Sequence, residues 1–291
     1  MKKYFIYFTS FLLLACNDND DFENQITNPE QTKIQTLSIL DEQILNGNVT
    51  VTDKLDFKFE YDQDKLVKVW DIHNNYTENL TYNNNLLTDI DITGYVYPGL
   101  VDHVPLNVQR KLTYDSSNRL IKSENTLAYA NTKSYKIFEY PSIDIIIIKE
   151  FYENSSNIVE LTSIFKIHLN NGNVTKVEIG SVTNPTVFFK GINYEYDQKV
   201  NPNSLIDRNR ILGLINHNFN LSVLQDYSQI SKNNVTKKTE YLVVSNGAEY
   251  LYEPTNFTFD YQNNLTSKII FQYDWPASTG LSLRISSIYG Y

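Results

Sequence analysis

Residues 55–70 have the sequence LDFKFEYDQDKLVKVW, in which apolar and polar residues alternate on both sides of a short polar turn. The apolar positions from Leu55 to Tyr61 share one face of an extended chain, and the charged positions between them share the other. Residues 62–65 form the turn, and Leu66–Trp70 return. This stretch predicts a β-hairpin with one buried and one hydrated face.

The same unit recurs along the chain. Alternating apolar runs end at an anchor residue, and a polar turn rich in Asp, Asn or Ser follows; the anchors are Tyr61, Tyr82, Tyr114, Tyr140, Leu169 and Tyr196. They are 21 to 32 residues apart, enough for two strands and their turns. A similar hairpin follows around residues 257–273. The repeat predicts an all-β fold, a long curled antiparallel β-meander, and leaves open whether the sheet is open or closed into a barrel.

Two stretches interrupt the repeat. Ile145–Ile148 is continuously apolar and predicts a strand buried on both faces, or a place where the sheet curls over. Residues 203–235 lack alternation and predict a short helical or irregular insertion. Within it Leu205, Leu212 and Ile215 share one helix face, and an apolar cluster follows at 219–224. We expect this insertion to cover an open end or edge of the sheet.

The N-terminal segment predicts lipid anchoring. Lys2 and Lys3 precede an apolar run, and Leu13-Leu14-Ala15-Cys16 places a small residue before the single cysteine. The run is about half of the roughly 20 residues that a spanning helix needs. We therefore predict a signal peptide at 1–15, a lipid on Cys16, an acidic flexible tether over 16–33 and a single β-meander domain over 34–291.

Composition limits the class of partner. The chain has a net charge of −9, and removal of Lys2 and Lys3 makes the mature chain about −11 (−9 − 2). A negative surface repels phosphate backbones, so we expect no nucleic-acid partner. Because Cys16 is the only cysteine, no disulfide can form within the domain.

The repeat units FEYDQDKLVKV, LTYDSSNRLIK, YEYDQKVNP and FDYQNNLTSKI resemble the tyrosine-aspartate repeats of Bacteroidota surface lipoproteins of unknown function. Related repeats occur in the YD-repeat shells of large bacterial toxins. SKNNVTK at 231–237 resembles the C-terminal half of the same lipoproteins. The resemblance implies a curled meander on an exported lipoprotein and brings no catalytic residue. It also implies that the acidic stretch after Cys16 directs display on the outer face of the outer membrane, with a periplasm-facing protein as the alternative.

The sequence contains no pattern typical of an enzyme or a metal protein. His73, His103, His168 and His217 are not at the spacings of a metal site, and we interpret them as polar strand or loop residues. The turn aspartates, such as Asp115, lack the arrangement of a calcium loop. No nucleophile elbow or phosphate loop is present. We therefore predict no catalytic residue, no metal and no cofactor.

Three aromatic residues are the candidate ligand contacts, and they are Trp70, Tyr273 and Trp275. Trp275 and Tyr273 lie in a predicted loop region and could stack on a sugar ring, whereas Trp70 is expected to pack on the sheet. The last segment, from Leu281 to Tyr291, alternates as an outer-membrane barrel strand does, but its polar neighbours favour the final strand of a soluble sheet.

The functional expectation is a surface lipoprotein with a non-enzymatic binding or structural role. The alternatives are a glycan-binding component of a polysaccharide-uptake system, a protein that docks onto an outer-membrane protein, and a carboxylate-dependent hydrolase whose two acids meet only in the folded chain.

Overall fold

The computed structural model describes residues 32–73, 75–96, 104–127, 132–214, 226–244, 247–274 and 281–291. The described residues form seventeen strands, one short α-helix and two 3-10 helices. The strands are β1 Thr36–Leu45, β2 Asn48–Asp62, β3 Lys65–Asp71, β4 Tyr76–Asn83, β5 Leu86–Val96, β6 Val104–Tyr114, β7 Leu120–Leu127, β8 Thr132–Ser142, β9 Ile145–Glu153, β10 Val159–Asn170, β11 Asn173–Gly180, β12 Phe188–Val200, β13 Asn233–Val243, β14 Glu249–Leu251, β15 Thr255–Gln262, β16 Leu265–Asp274 and β17 Leu281–Gly290. The helices are α1 Arg208–Leu214 and the 3-10 helices Pro202–Leu205 and Tyr227–Ile230.

The strands form one closed antiparallel barrel. Consecutive strands pair in chain order, and β1 pairs with both β2 and β17, so that Thr36 lies opposite Lys58 on one side and Gly290 on the other. Sixteen strands make the ring; in the part of the chain that the structure describes, the short β14 pairs with β13 alone. The predicted all-β meander is confirmed, and the sheet is closed.

Asparagine residues make the tight hairpin turns. Asn84 and Asn85 both have positive φ, at 48° and 67°, and they form the two-residue loop between β4 and β5. Two consecutive positive φ values characterise the type I′ turn, whose twist matches that of the strands. Asparagine tolerates this conformation because its short side chain can bond locally. Asparagine therefore supplies the positive-φ positions of several hairpin turns, for example Asn171 and Asn264.

The anchor residues share one local geometry. At each hairpin the strand register shifts at or next to the anchor, for example between Glu60 and Tyr61 and between Thr113 and Tyr114. Such a bulge adds a residue to one strand and re-aims the side chain. The anchors and their turns lie at one end of the barrel, which we call the tyrosine end.

The barrel interior is packed near the tyrosine end. Inward positions of successive strands form one apolar cluster, which includes Phe57, Leu80, Ile90, Phe138 and Ile269. The partly buried anchor tyrosines pack against this cluster. Burial of apolar side chains by a closed sheet also removes the exposed strand edges that would otherwise pair with other chains.

Two local predictions need correction. Ile146 and Ile148 are buried, but Ile145 and Ile147 are only partly buried, so β9 alternates and is not buried on both faces. Residues 233–235 of the predicted insertion belong to β13, because they continue the pairing with β12. The predicted helix face also differs, since Leu205 ends a 3-10 helix and α1 begins three residues later. Ile215 and the cluster at 219–224 lie outside the described residues.

The outer wall of the barrel carries charges. Outward positions form cross-strand or same-strand ion pairs; these are Lys54–Asp56, Lys122–Glu124, Glu139–Lys149, Lys166–Glu178 and Glu42–Arg284. A lysine or arginine facing lipid near the bilayer midplane costs about 2–4 kcal/mol, so this wall is suited to water. The last strand, β17, belongs to the same wall, since it pairs with β1 and β16. No helix within the described residues combines the length and apolarity needed to cross a bilayer.

Candidate ligand-binding cleft

The connection between β12 and β13 enters the tyrosine end of the barrel. We call residues 201–232 the plug segment; residues 201–214 and 226–232 of it are described. Its two described parts are joined by buried Asn201, whose side-chain amide donates to the carbonyl oxygens of Gln229 and Ser231 at 3.2 and 3.0 Å. Asp207 accepts from the backbone N–H of Asn209 at 2.7 Å and so caps the start of α1.

An ion pair holds the plug segment to the barrel wall. Arg210 on α1 donates from Nε and Nη2 to the two carboxylate oxygens of Glu78 on β4, at 2.7 and 2.6 Å. The hydroxyl of Tyr76 also donates to Glu78. Glu78 is fully buried and Arg210 is 4% exposed. A bidentate, hydrogen-bonded geometry of this kind is what allows two charges to be buried together.

A second contact lies across the barrel. The ring of Tyr227, on the second 3-10 helix, packs edge-on against Phe165 of β10 with centroids 5.1 Å apart. Its hydroxyl lies 3.4 Å from Glu150 of β9. Because the described parts of the plug segment contact the inner faces of β4, β9 and β10, these parts lie within the barrel at the tyrosine end.

A cleft of about 600 Å³ opens between the plug segment and the hairpins of β6 to β10. Its floor is apolar, since Leu120, Ile146 and Leu212 are at most 2% exposed. Its rim is polar and basic, and the residues of the rim are Asn118, Arg119, Ser142, Arg208 and Asn209. Ile143 at the lip is 92% exposed, an unusual position for a large apolar side chain.

The two arginines of the rim differ in their partners. Arg119 donates from Nε to Asp115 at 2.8 Å, and its guanidinium lies 4.8 Å from the ring centroid of Tyr140. Arg208 has no ion pair with any carboxylate of the described residues, and Tyr140 is the group that acts on it electrostatically. Arg208 is therefore the cation of the rim whose charge is available to a ligand.

Tyr140 forms one side of the cleft as a neutral group. Burial raises the pKa of its hydroxyl, although Arg208 and Arg119 oppose that shift. The hydroxyl donates to the carbonyl oxygen of Leu120 at 2.8 Å. This bond holds the ring in place at the lining of the cleft.

The described lining of the cleft offers few groups for acid–base chemistry. Among its described lining residues there is no Asp, Glu, His or Cys. Elsewhere, His168 on β10 lies 2.6 Å from Glu178 on the outer wall, and the backbone N–H of His73 donates to Asp71. His103 and His217 lie outside the described residues. Nowhere in the described ranges do three or more His, Cys, Asp or Glu side chains come together as a metal site.

The residues that the sequence proposed as ligand contacts lie away from the cleft. Trp70 is half-buried on the outer face of β3, with Lys68 Nζ 5.0 Å from its ring centroid. Tyr273 lies near the end of β16 opposite to the tyrosine end and is 54% exposed. Trp275 and Cys16, with the predicted signal peptide and the predicted tether up to residue 31, lie outside the described residues.

Sequence reasoning missed Arg119, Tyr140, Arg208 and Asn209. They come from two hairpins and the plug segment, and only the closed barrel brings them together. One feature of the sequence could have indicated the site. Arg208 and Arg210 lie close together in an otherwise acidic chain, within the segment that interrupts the repeat.

No family model matches the chain, and no curated protein matches it. Among solved structures, the chain is similar to a porin-like protein from Bacteroides uniformis ATCC 8492, with 11% identity and a TM-score of 0.35, over 89% of this chain and 98% of that one. It is also similar to a double mutant of the vaccine antigen Transferrin Binding Protein B from Haemophilus parasuis Hp5, with 7% identity and a TM-score of 0.19, over 89% and 76% of the two chains. The assignment of the fold rests on the strand pairing itself.

Proposed function

We propose that this protein is a lipid-anchored, surface-displayed lipoprotein that binds a small amphipathic anion in the cleft at the tyrosine end. The observation that carries the proposal is the unpaired cation of Arg208 above the buried floor of Leu120, Ile146 and Leu212. A carboxylate head would be held by the guanidinium through charge-assisted hydrogen bonds. An apolar body would be buried on the floor, with Ile143 at its edge.

The size and lining of the cleft favour binding over catalysis. Ligand sites typically occupy about 300–1,000 Å³ and combine apolar walls with a few polar groups. This cleft has that volume and lining. A carboxylate-dependent hydrolase needs two acids, and the described lining residues supply none.

The glycan-binding alternative has weaker support. Sugar recognition by stacking needs an exposed aromatic face, and Lys68 covers part of Trp70. Tyr273 is exposed, but it lies at the opposite end of the barrel from the cleft. The docking of an outer-membrane protein on the barrel remains an alternative for the same lipoprotein.

The tether enters the domain at the end that carries the cleft. Lys33 Nζ lies 3.1 Å from Asp64 and 5.4 Å from the ring centroid of Tyr61, beside the turn of the first tyrosine hairpin. The chain from Cys16 to Lys33 has seventeen bonds between residues and can span at most about 60 Å. The cleft therefore lies at the end of the barrel where the proposed tether joins the domain.

Calorimetric titration of the mature chain carrying Cys16→Ala, which removes only the lipid site, tests the cleft. The probes are octanoate and 1-octanol, which share one tail length and differ in charge. We expect octanoate to bind and Arg208→Gln to weaken it by about tenfold, as loss of a charge-assisted contact predicts. Lys58→Gln removes an exposed cation on the outer wall and should change nothing. Equal binding of octanol and octanoate, or an equal loss in both variants, would contradict the proposal.

Anchoring is tested separately in cells. Cys16→Ala should abolish labelling by a fatty-acid analogue and release the protein from the membrane fraction, whereas Thr9→Ala in the signal peptide should not. Protease added to intact cells should digest the lipidated protein if it is displayed outward. Retention of the Cys16→Ala protein in membranes would overturn the anchoring claim, and full protection from protease would favour the periplasm-facing alternative.

A further inference from the structure

Polar side chains form two neighbouring rows on the inner wall of the barrel, deeper than the cleft. The cross-strand register places Arg110 of β6 opposite Asn125 of β7, and Asn125 opposite Ser134 of β8. The adjacent row runs across β6, β7, β8 and β9 and consists of Leu112, Ser123, Lys136 and Glu150. Polar residues at inward positions of consecutive strands make a polar region inside an otherwise apolar core.

Arg110 is buried with most of its hydrogen-bonding capacity unused. It is 1% exposed, and its Nε donates to Asn125 Oδ1. Its Nη1 and Nη2 are buried and have no hydrogen-bond partner among the described residues, and the same holds for Ser123 Oγ. A buried donor without a partner is unfavourable, and a buried guanidinium is more so because it carries charge.

The side chains of Arg110 and Ser123 both lie against Gly213 of α1, beneath the plug segment. A Cβ atom placed on Gly213 of α1 would lie 3.3 Å from Ser123 Oγ and 3.4 Å from Arg110 Cδ. A side chain at position 213 would therefore crowd both residues. The absence of a side chain at Gly213 therefore leaves room for Arg110 and Ser123.

The nearest carboxylate is already engaged. Glu78 accepts two hydrogen bonds from Arg210 and one from Tyr76. Its charge acts on Arg110 through space, but burial outweighs that attraction and lowers the pKa of Arg110 to about 10. Arg110 therefore has no direct counter-charge among the described residues.

A second carboxylate of these rows, that of Glu150, is engaged as well. Glu150 pairs with Lys136 at 3.4 Å and lies 3.4 Å from the hydroxyl of Tyr227. Each of the two carboxylates therefore already has a cationic partner, Arg210 for Glu78 and Lys136 for Glu150.

We propose that a small inorganic anion of halide size, such as chloride, binds inside the barrel between the Nη atoms of Arg110 and the hydroxyl of Ser123. A halide accepts N–H and O–H bonds from several directions, so one ion satisfies all three donors. It also neutralises the charge of Arg110. The site links β6 and β7 to α1, so that the bound ion stabilises the plug segment in place. It is independent of the cleft and of its ligand.

Thermal unfolding of the full mature chain, carrying Cys16→Ala, tests the site. Sodium gluconate is replaced stepwise by sodium chloride at constant ionic strength, because gluconate is too large for a buried site. Ligand binding to the folded state alone raises Tm with ligand concentration. We expect a saturable rise with chloride, loss of the rise in Arg110→Gln, a several-fold weaker chloride affinity in Ser123→Ala and an unchanged rise in Lys58→Gln.

Two results would overturn the proposal. One is a Tm of the parent chain that does not change with the chloride fraction, and the other is a Tm of Arg110→Gln that rises with chloride as that of the parent chain does. A crystal of the parent chain soaked in bromide gives a second measurement that does not depend on the folding of any variant. We expect an anomalous peak at hydrogen-bonding distance from Arg110 Nη1 or Nη2. Peaks confined to the protein surface would overturn the proposal.

Discussion

The hydroxyl of Tyr114 donates a hydrogen bond to the carbonyl oxygen of Leu87, 2.6 Å away at the start of the neighbouring strand. The same relationship, from the end of one strand to the start of the preceding one, recurs at four other positions, which are Tyr82 to Leu66, Tyr140 to Leu120, Tyr196 to Val174 and Tyr291 to Thr266. The bond reaches from one hairpin to the next. The bond therefore explains why the repeat has tyrosine at this position, which the alternation of apolar and polar residues does not explain.

Tyr114→Phe removes this bond and keeps the ring. We expect the free energy of unfolding to fall by about 1 kcal/mol, the usual net contribution of an intramolecular hydrogen bond, because a buried carbonyl then loses its partner. Urea titration measures the change. Tyr250→Phe, at a tyrosine that is 61% exposed, is the matched control and should change stability by less than about 0.5 kcal/mol. Equal effects of the two variants would assign the repeat tyrosines a packing role only.

The local parts of the fold followed from the sequence, and the non-local parts did not. The alternation from Leu55 to Tyr61 and the turns at Asn84-Asn85 and Asn171-Gly172 predicted hairpins, because strand faces and tight turns depend on neighbouring residues. The closure of the barrel depends on Thr36 meeting Gly290, and no periodicity encodes a contact over that separation.

The candidate site was missed for the same reason. Arg119 and Arg208 are 89 residues apart in the sequence (208 − 119), and they share a cleft only because the plug segment folds back into the barrel. The alternation also misled at Ile145–Ile148, where a run of four similar residues hid the true period of two. When outward positions are also apolar, the sequence no longer alternates, and the two faces of the strand cannot be assigned from it.

Arg210→Met is expected to destabilise the domain strongly. It would leave the fully buried Glu78 without its counter-charge, and loss of one partner of a buried pair typically costs about 3–5 kcal/mol. The double variant Glu78→Met with Arg210→Met removes both charges and should recover much of that loss. Chemical denaturation of the two variants gives the comparison. A double variant no more stable than the single one would show that the ion pair is not what holds α1.

Lys136 gives the domain a specific pH dependence. Burial lowers the pKa of Lys136 to about 8, whereas its ordinary value is 10.5, although Glu150 opposes the shift. Between these two pH values the unfolded chain holds more protons than the folded one, so stability rises with pH in that window. Below pH 8 the full unfavourable effect of the buried charge is present.

The measurement is the free energy of unfolding at pH 7 and at pH 9.5 for the parent chain and for Lys136→Met. The parent chain should gain more stability than the variant over this interval. Tyrosine ionisation at the upper limit affects both proteins and cancels in the difference. A parallel change in the two proteins would show that Lys136 titrates near its ordinary pKa.

Gly94 occupies a position that no other residue can take. It has a φ of +125°, and an added Cβ would lie 2.0 Å from the backbone oxygen of Asn75. Backbone atoms cannot move away as a flexible side chain can. Gly94→Ala should therefore lower the free energy of unfolding by on the order of 3 kcal/mol or more.

Gly247→Ala is the matched control for backbone strain. Gly247 also has a positive φ, +82°, but nothing lies within 4 Å of an added Cβ. Its substitution should cost only about 1–2 kcal/mol, the strain of the left-handed conformation. Equal stability of the two alanine variants would contradict the close contact between Gly94 of β5 and the backbone of Asn75, which precedes β4.

The central claim is that the closed, plugged barrel presents a cleft for a small amphipathic anion. A crystal structure of the mature chain with octanoate tests it most directly, because it shows both the plug segment and the ligand. The predicted result is a carboxylate at the guanidinium of Arg208, with the tail on Leu120 and Leu212 and with α1 bonded to Glu78. An empty cleft at saturating octanoate, or a plug segment outside the barrel, would contradict the account.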